Sequence, residues 1–525
     1  MAFTTLPFLV FFAILFFLYY LPTWIPKLKG KGIQKWLILI ANLVFYAWAS
    51  PYFLIFLGAS SLLVYGASLI LSSIDKKAEA ACAQAERDER KQVKADAQKK
   101  KRRILVLALV LVLLLLVVPK YASFLLENVN AILGAFHVET DFKVSLVLPL
   151  GLSFYTFQNV GYLVNVYWGK YPPQKNYFLY LTYVSFFPHV LQGPLDEYED
   201  LFPALCEEHE FCREKAERGL LRVLWGLFKK WVVATQIGIL LAPYLSGETE
   251  ALGLTVVFCA VGYAVQMYAD FSGYMDIAIG CSNMLGIPLA ENFDAPYFST
   301  GVAEYWRRWH ITLGAWFRSY VYYPLMRSKG LSALRKHLKK HKYLASVLPT
   351  SLALIVVWLC IGFWHGADWA YVLHGVYHGL FVISASVLEP LYNAYHKKFP
   401  KLTASVPYRV FCILRTFVIV CFGYLLFATG DMAVSASLIG NLFSAGGAEQ
   451  LAALFADNEY AVFSIALGSV ILLIVDIVSE LGKKREQKEL KSVQIYLLWI
   501  ALGIGILLFG AYSEADASQF LYFRF

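Results

Sequence analysis

Two histidines in this chain sit where an ionisable side chain is costly to keep without a use. His310 closes Tyr305-Trp306-Arg307-Arg308-Trp309-His310, and His365 closes Leu352–Trp364, a run that is almost wholly apolar. No acidic or basic side chain precedes His365 back to Lys342. An ionisable group at membrane depth costs roughly 2.5–3.5 kcal/mol even on the lenient insertion scale, so such groups usually line a cavity and act there. Imidazole is also the side chain that exchanges a proton most readily near neutral pH. Catalysis inside a membrane is the chemistry these positions suggest. The bland alternative is a pair of core histidines bonded to backbone carbonyls.

Other candidates carry weaker signals. His374 and His378 are spaced to share a helix face and to hold a metal, but His374-Gly-Val-Tyr-His378 lacks the glutamate of the zinc-protease pattern. On one straight helix His365 would lie about 20 Å from His378, too far for a single site. No metal is expected. Arg307 and Arg308 either pair with Asp270 or Asp276 or bind an anionic ligand. Trp306, Trp309, Trp316 and Trp364 fit packing or interfacial roles as well as substrate contact. His189, in Phe187-Pro-His, fits either a cavity lining or the cap of a broken helix. The eight cysteines form no CxxC pair, so neither a disulfide framework nor a zinc site is indicated.

The elements that must position these residues are membrane helices. The 525 residues are 59% hydrophobic and 16% charged, against about 25% charged for a soluble protein. Apolar runs at or near the roughly 20 residues needed to cross hydrocarbon are Leu6–Ile25, Trp36–Ser72 (enough for two), Ile104–Val118, Leu344–Phe363, Val410–Ala428, Tyr460–Val478 and Ile495–Ala511. Barrel-type alternation is absent, and backbone groups in lipid must be satisfied within their own segment, so the chain is read as an all-α polytopic membrane protein. Leu6–Ile25 has no preceding basic residues and no small-residue cleavage site, which predicts a retained helix.

Basic clusters at Lys27–Lys31, Asp75–Arg103, Arg222–Lys230, Arg335–Lys342, Lys397–Lys401 and Lys483–Lys491 read as cytoplasmic loops, with the N-terminus outside. The net charge of +9 is then a loop bias and an affinity for anionic headgroups, not a sign of nucleic acid. Residues 75–103 form a charged cytoplasmic insertion, read as a helical hairpin or mobile loop. Residues 231–306 hold no Lys or Arg but carry Asp270, Asp276, Glu291 and Asp294 among Gly, Pro, Ser and Asn. Broken backbone is tolerated at membrane depth only inside protein or beside water, which predicts about 11–14 transmembrane or re-entrant helices ringing an irregular core with a cavity or tunnel. The whole of 1–525 is read as one integral membrane domain, with 145–380 as its catalytic core.

Seven segments carry a family resemblance: Leu148–Gln158, Phe187–Pro194, Asp270–Asp276, Glu291–Tyr297, Tyr305–His310, Trp316–Arg318 and Trp364–Ala367. Taken in order, they resemble the membrane-bound O-acyltransferases (the MBOAT family), and within it the bacterial alginate O-acetyltransferase branch. The ending Phe520–Phe525 is similar to the aromatic terminus of that branch, while Gln192-Gly-Pro stands where Ala-Gly-Pro is more usual. The resemblance implies a multi-pass protein of the bacterial cell membrane. It would move an acyl group, acetyl as first guess, from a cytosolic thioester across the membrane for O-acylation of a cell-surface polysaccharide. Acetyl-CoA is the implied donor substrate, with no bound cofactor, and a secreted or membrane-tethered acyltransferase the implied partner. His365 is implied as the catalytic general base. His310 matches a second signature position held by Asn or His and is read as a secondary acid or oxyanion partner. Arg307, Arg308 and Arg318 fit the donor's phosphates, Trp364 the oxyanion, and Asp270 and Gln158 the remaining binding positions. The alternatives are D-alanyl transfer from a carrier protein to teichoic acid, or transport of an acylated intermediate.

Overall fold

A computed structural model describes residues 1–138, 140–144, 146–483 and 490–512. The aromatic ending Phe520–Phe525 and most of Lys483–Lys491 lie outside these residues. Among the described residues the secondary structure is helical, with one isolated antiparallel bridge, Phe293–Trp309. Among the described residues, ten helices are long and apolar enough to cross a membrane. They include Arg213–Leu245, Leu254–Met284 and Trp369–Val387, which the apolar runs alone did not delimit. The chain divides into two compact units, Met1–Gly219 with Cys281–Ala290, and Leu220–Gly280 with the residues from Glu291 onward.

In the first unit, Asp75–Arg103 lies on the end of helix Phe53–Gln84 and the start of helix Arg87–Ala135. A capping box between Glu86 and Glu89 starts the second helix, and Lys101 Nζ clasps Asp75 Oδ2 at 2.7 Å. That helix has 49 residues, roughly 70 Å of rise, more than twice the hydrocarbon thickness of about 30 Å. Its charged N-terminal part therefore belongs outside lipid.

The Pro- and Gly-bearing segments of this unit are broken, and side chains satisfy the freed backbone. Asn42 Oδ1 accepts from Phe187 N at 3.0 Å, and its Nδ2 donates to Thr182 O at 3.2 Å. That pairing holds the four-residue helix Phe187–Val190 beside Tyr177–Val184. Gly151 takes φ +68°, and a Cβ there would run into the Val190 carbonyl, so the turn into helix Leu152–Trp168 requires glycine.

In the second unit, helices Lys342–His365 and Trp369–Val387 pack closely as neighbours. A Cβ on Gly375 would sit 2.6 Å from the Trp358 carbonyl oxygen, so glycine sets how near the two backbones come. Asp368 Oδ1 accepts from Ala370 N at 2.7 Å and starts the second helix. The chain thus breaks at Gly366–Asp368 instead of continuing straight, and the His365 and His374 rings lie 6.2 Å apart.

One expectation is corrected here. Arg222–Lys230 is not a solvated basic loop. It lies on helix Arg213–Phe228 and the π-helical turn Lys229–Ala234, with Lys229 and Lys230 buried. Lys230 Nζ meets Asp270 Oδ1 at 2.7 Å, Lys229 pairs with Asp276 and donates to Ser272 Oγ at 2.8 Å, and Arg222 reaches Asp276 at 2.9 Å. These lysines enter the interior because the carboxylates of helix Leu254–Met284 neutralise them; positive charge marked a buried network, not a membrane side. Arg308 pairs with Glu304 and Glu480 instead, and among the described residues no ion pair joins Arg307 to Asp270 or Asp276.

Candidate active site

The second unit contains a cavity of about 360 Å³ lined by both His310 and His365. The two imidazoles are buried, while Arg307 and Arg318, which line the same cavity, are exposed. The space therefore runs from desolvated imidazoles to hydrated guanidiniums. Trp306 and Trp358 form part of its wall.

His310 reaches the cavity through an unusual backbone. It takes φ +48° and ψ +54° immediately before the short helix Ile311–Phe317, a left-handed conformation that a non-glycine residue adopts at a cost. Backbone pairing with the segment Asn292–Asp294 holds it there: Asp294 N donates to Arg308 O at 3.0 Å, and Ile311 N to Asn292 O at 3.1 Å. The Asn292 side chain completes the arrangement. Its Oδ1 accepts from Thr312 N and Thr312 Oγ1, each at 3.0 Å, and lies 3.3 Å from His310 Nδ1. An amide oxygen only accepts, so Nδ1 carries the hydrogen and Nε2 the lone pair. Burial pushes the His310 imidazole, outside the ten candidate spans, down to about 3, so it is neutral at physiological pH. In this tautomer Nε2 presents a lone pair, which does not suit the expected donation to an oxyanion.

His365 is the last residue of helix Lys342–His365 and is 7% exposed. Phe427 stands perpendicular to its ring with centroids 4.9 Å apart, and His374 lies edge-on at 6.2 Å. His374 Nδ1 is 2.9 Å from Gly423 O, which fixes its hydrogen on that nitrogen because a carbonyl cannot donate. His365 is thus confined by aromatic rings from helices Trp369–Val387 and Val406–Ala428. The Trp364 ring lies 5.8 Å from His310 and 4.8 Å from His365.

The remaining expected positions separate. Arg307 and Arg318 line the cavity, and among the described residues neither forms an ion pair with a carboxylate. Arg308 is instead held by Glu304 at 2.7 Å and Glu480 at 2.8 Å. Asp270 belongs to the buried pair with Lys230. Gln158 is in the first unit, where its Nε2 lies 2.8 Å from His189 Nε2. No group of three His, Cys, Asp or Glu among the described residues could hold a metal ion. Asn292 and Phe427 were not singled out from sequence, and His374 was considered only as a metal ligand with His378. Asn292 lay inside a quoted motif, but its role depends on pairing with a segment reached only through tertiary contact.

A helical, multi-pass membrane protein with two buried imidazoles on one cavity is the class that fold and site define. Comparison with known proteins sharpens this. The family model for MBOAT, the membrane-bound O-acyltransferase family, matches residues 174–429. A probable alginate O-acetylase of Pseudomonas aeruginosa is 29% identical over 440 residues, covering 83% of this chain and 75% of the relative. A peptidoglycan O-acetyltransferase of Helicobacter pylori is 31% identical over 313 residues, 54% of this chain and 55% of the relative. A teichoic acid D-alanyltransferase of Bacillus subtilis is 26% identical over 288 residues, 54% of this chain and 69% of the relative.

The chain belongs to the membrane-bound O-acyltransferase family and resembles its alginate O-acetylase branch. It is an O-acyltransferase and a multi-pass protein of the bacterial inner membrane. The transporter alternative gives way to the enzyme.

Proposed function

We propose that the protein transfers an acetyl group from acetyl-CoA, presented as a cytosolic thioester, for O-acetylation of a cell-surface polysaccharide, with His365 as general base. The observation that carries this reading is the cavity that His365 and His310 share with two exposed arginines. A hydroxyl is a poor nucleophile until a base takes its proton, and imidazole does so at neutral pH. In the proposed step the hydroxyl oxygen attacks the thioester carbonyl carbon while His365 takes the hydroxyl proton. Collapse of the tetrahedral adduct breaks the C–S bond, and His365 returns the proton to the leaving thiolate. The aromatic surroundings of His365 exclude water that would hydrolyse the thioester.

His310 takes the role its tautomer permits, accepting a hydrogen bond from an amide N–H of the donor arm. The indole N–H of Trp364 is then the oxyanion donor. Arg307 and Arg318 hold the donor's phosphates, where guanidinium forks are effective. The acyl acceptor is either the polymer itself or a secreted or membrane-tethered partner acyltransferase. The similarity to a D-alanyltransferase supports a second reading, D-alanyl transfer from a carrier protein to teichoic acid. Supplying purified protein with acetyl-CoA or an aminoacylated carrier distinguishes them: transfer from the first alone supports acetylation, and from the second alone supports alanylation.

A further inference from the structure

A second cleft, of about 800 Å³, opens beside the Lys397–Lys401 connection between helices Trp369–Val387 and Val406–Ala428. Its floor is apolar, with Phe381, Leu388 and Ile419. Its basic lining is Arg409, Arg415 and His396, with Tyr392, Tyr408 and Cys412 as further titratable groups, and no Asp or Glu contributes. Lys397, Lys398 and Lys401 follow on the adjoining short helices.

Arg415 gives the cleft its meaning. It is half-buried, ten residues into a candidate span that begins at Val406, roughly 13 Å along the helix. Its Nη2 donates to Thr300 O at 2.8 Å, and among the described residues no carboxylate forms an ion pair with it. A carbonyl satisfies one N–H but leaves the positive charge uncompensated, which is expensive at that depth. Arg409 does not solve the problem. It adds a second cation and reaches Glu480 Oε1 at only 3.3 Å, while Glu480 already holds Arg308 and Lys483. A cationic end and an apolar floor match a ligand that joins an anionic head to an acyl chain.

We propose that this cleft is a binding site for an anionic glycerophospholipid. The phosphodiester sits on Arg415 and Arg409, and an acyl chain lies along Phe381, Leu388 and Ile419. Basic pockets between membrane helices recognise acidic headgroups in this way. The proposal is independent of the acyl-transfer chemistry.

The test is lipid retention by the delipidated full-length protein, read by native mass spectrometry after addition of equimolar phosphatidylglycerol and phosphatidylcholine. Wild type is expected to retain phosphatidylglycerol preferentially. Arg415→Gln should weaken that retention roughly fivefold, the effect of removing one basic contact near an acidic headgroup. Arg415→Lys should keep most of it. If Arg415→Gln fails to fold, Arg409→Gln provides the same comparison from an exposed position, with loss of the preference expected. Equal retention of both lipids, or unchanged selectivity in the folded Gln variant, overturns the proposal. Displacement of phosphatidylglycerol by inorganic phosphate or coenzyme A would show that the site takes a soluble anion, and also overturns it.

Discussion

Asn292 Oδ1 lies 3.3 Å from His310 Nδ1 while accepting from both donors of Thr312. One amide oxygen therefore sets the ring's tautomer and anchors the helix that follows it. Asn292→Ala should leave the protein folded and lower kcat for acyl transfer about tenfold to a hundredfold, the usual scale for losing a residue that orients a functional imidazole. His310→Asn, which keeps a polar group of similar reach, should retain more activity than His310→Ala. Equal rates in wild type and Asn292→Ala would remove Asn292 from the site.

The exposed arginines make a kinetic prediction. Arg307→Gln and Arg318→Gln should each raise KM for the thioester donor by about tenfold to a hundredfold with kcat nearly unchanged, because a charge-assisted bond to a remote phosphate is worth roughly 1.5–3 kcal/mol in ground and transition states alike. A fall in kcat at constant KM would place these side chains in the chemistry instead.

The buried Lys230–Asp270 pair should behave as a structural element. Lys230→Ala removes the cation paired with a carboxylate that is 1% exposed and should cost about 3–5 kcal/mol, seen as lost yield or a lower Tm in detergent. Replacing both partners with apolar residues of similar size, Lys230→Met with Asp270→Leu, should recover most of that loss. A double variant no better than the single one would mean that the charges themselves are required.

These relationships also mark how far the sequence could be read. The helical membrane class was legible, because hydropathy is a local signal, and isolated polar residues in apolar sequence drew attention to His310 and His365, which the fold places on one cavity. The fate of Arg222–Lys230 was not. A basic run looks the same whether it faces water or a carboxylate reached from another helix, and Asp270 and Asp276 lie on a separate element. Arg308 was misread for the same reason, since its partner Glu480 comes from far along the chain. The folding back of Trp369–Val387, which brings His374 to His365, follows from a short break whose geometry the residue pattern does not specify.

Asp196 carries a pH signature in the first unit, outside the candidate spans. Its Oδ1 accepts from Ala290 N at 3.0 Å, and burial, aided by the negative charge of Asp200, pushes its carboxyl from 3.8 up to about 7. Between those values the folded state keeps a proton that the unfolded state releases. The stabilisation is fully present below 3.8 and is lost as pH rises through about 7. Thermal unfolding should therefore show a lower Tm at pH 8 than at pH 6 from this group, and Asp196→Asn should flatten that difference. An unchanged pH dependence in the Asn variant would contradict the assignment.

The central claim is that His365 performs the proton transfer in acyl transfer. Purified protein in nanodiscs, given radiolabelled acetyl-CoA and an acceptor polysaccharide with its partner acyltransferase, should move label in the wild type. His365→Ala should lose at least about 10²-fold of that rate while keeping its elution profile and Tm. Full label transfer by well-folded His365→Ala would contradict the account.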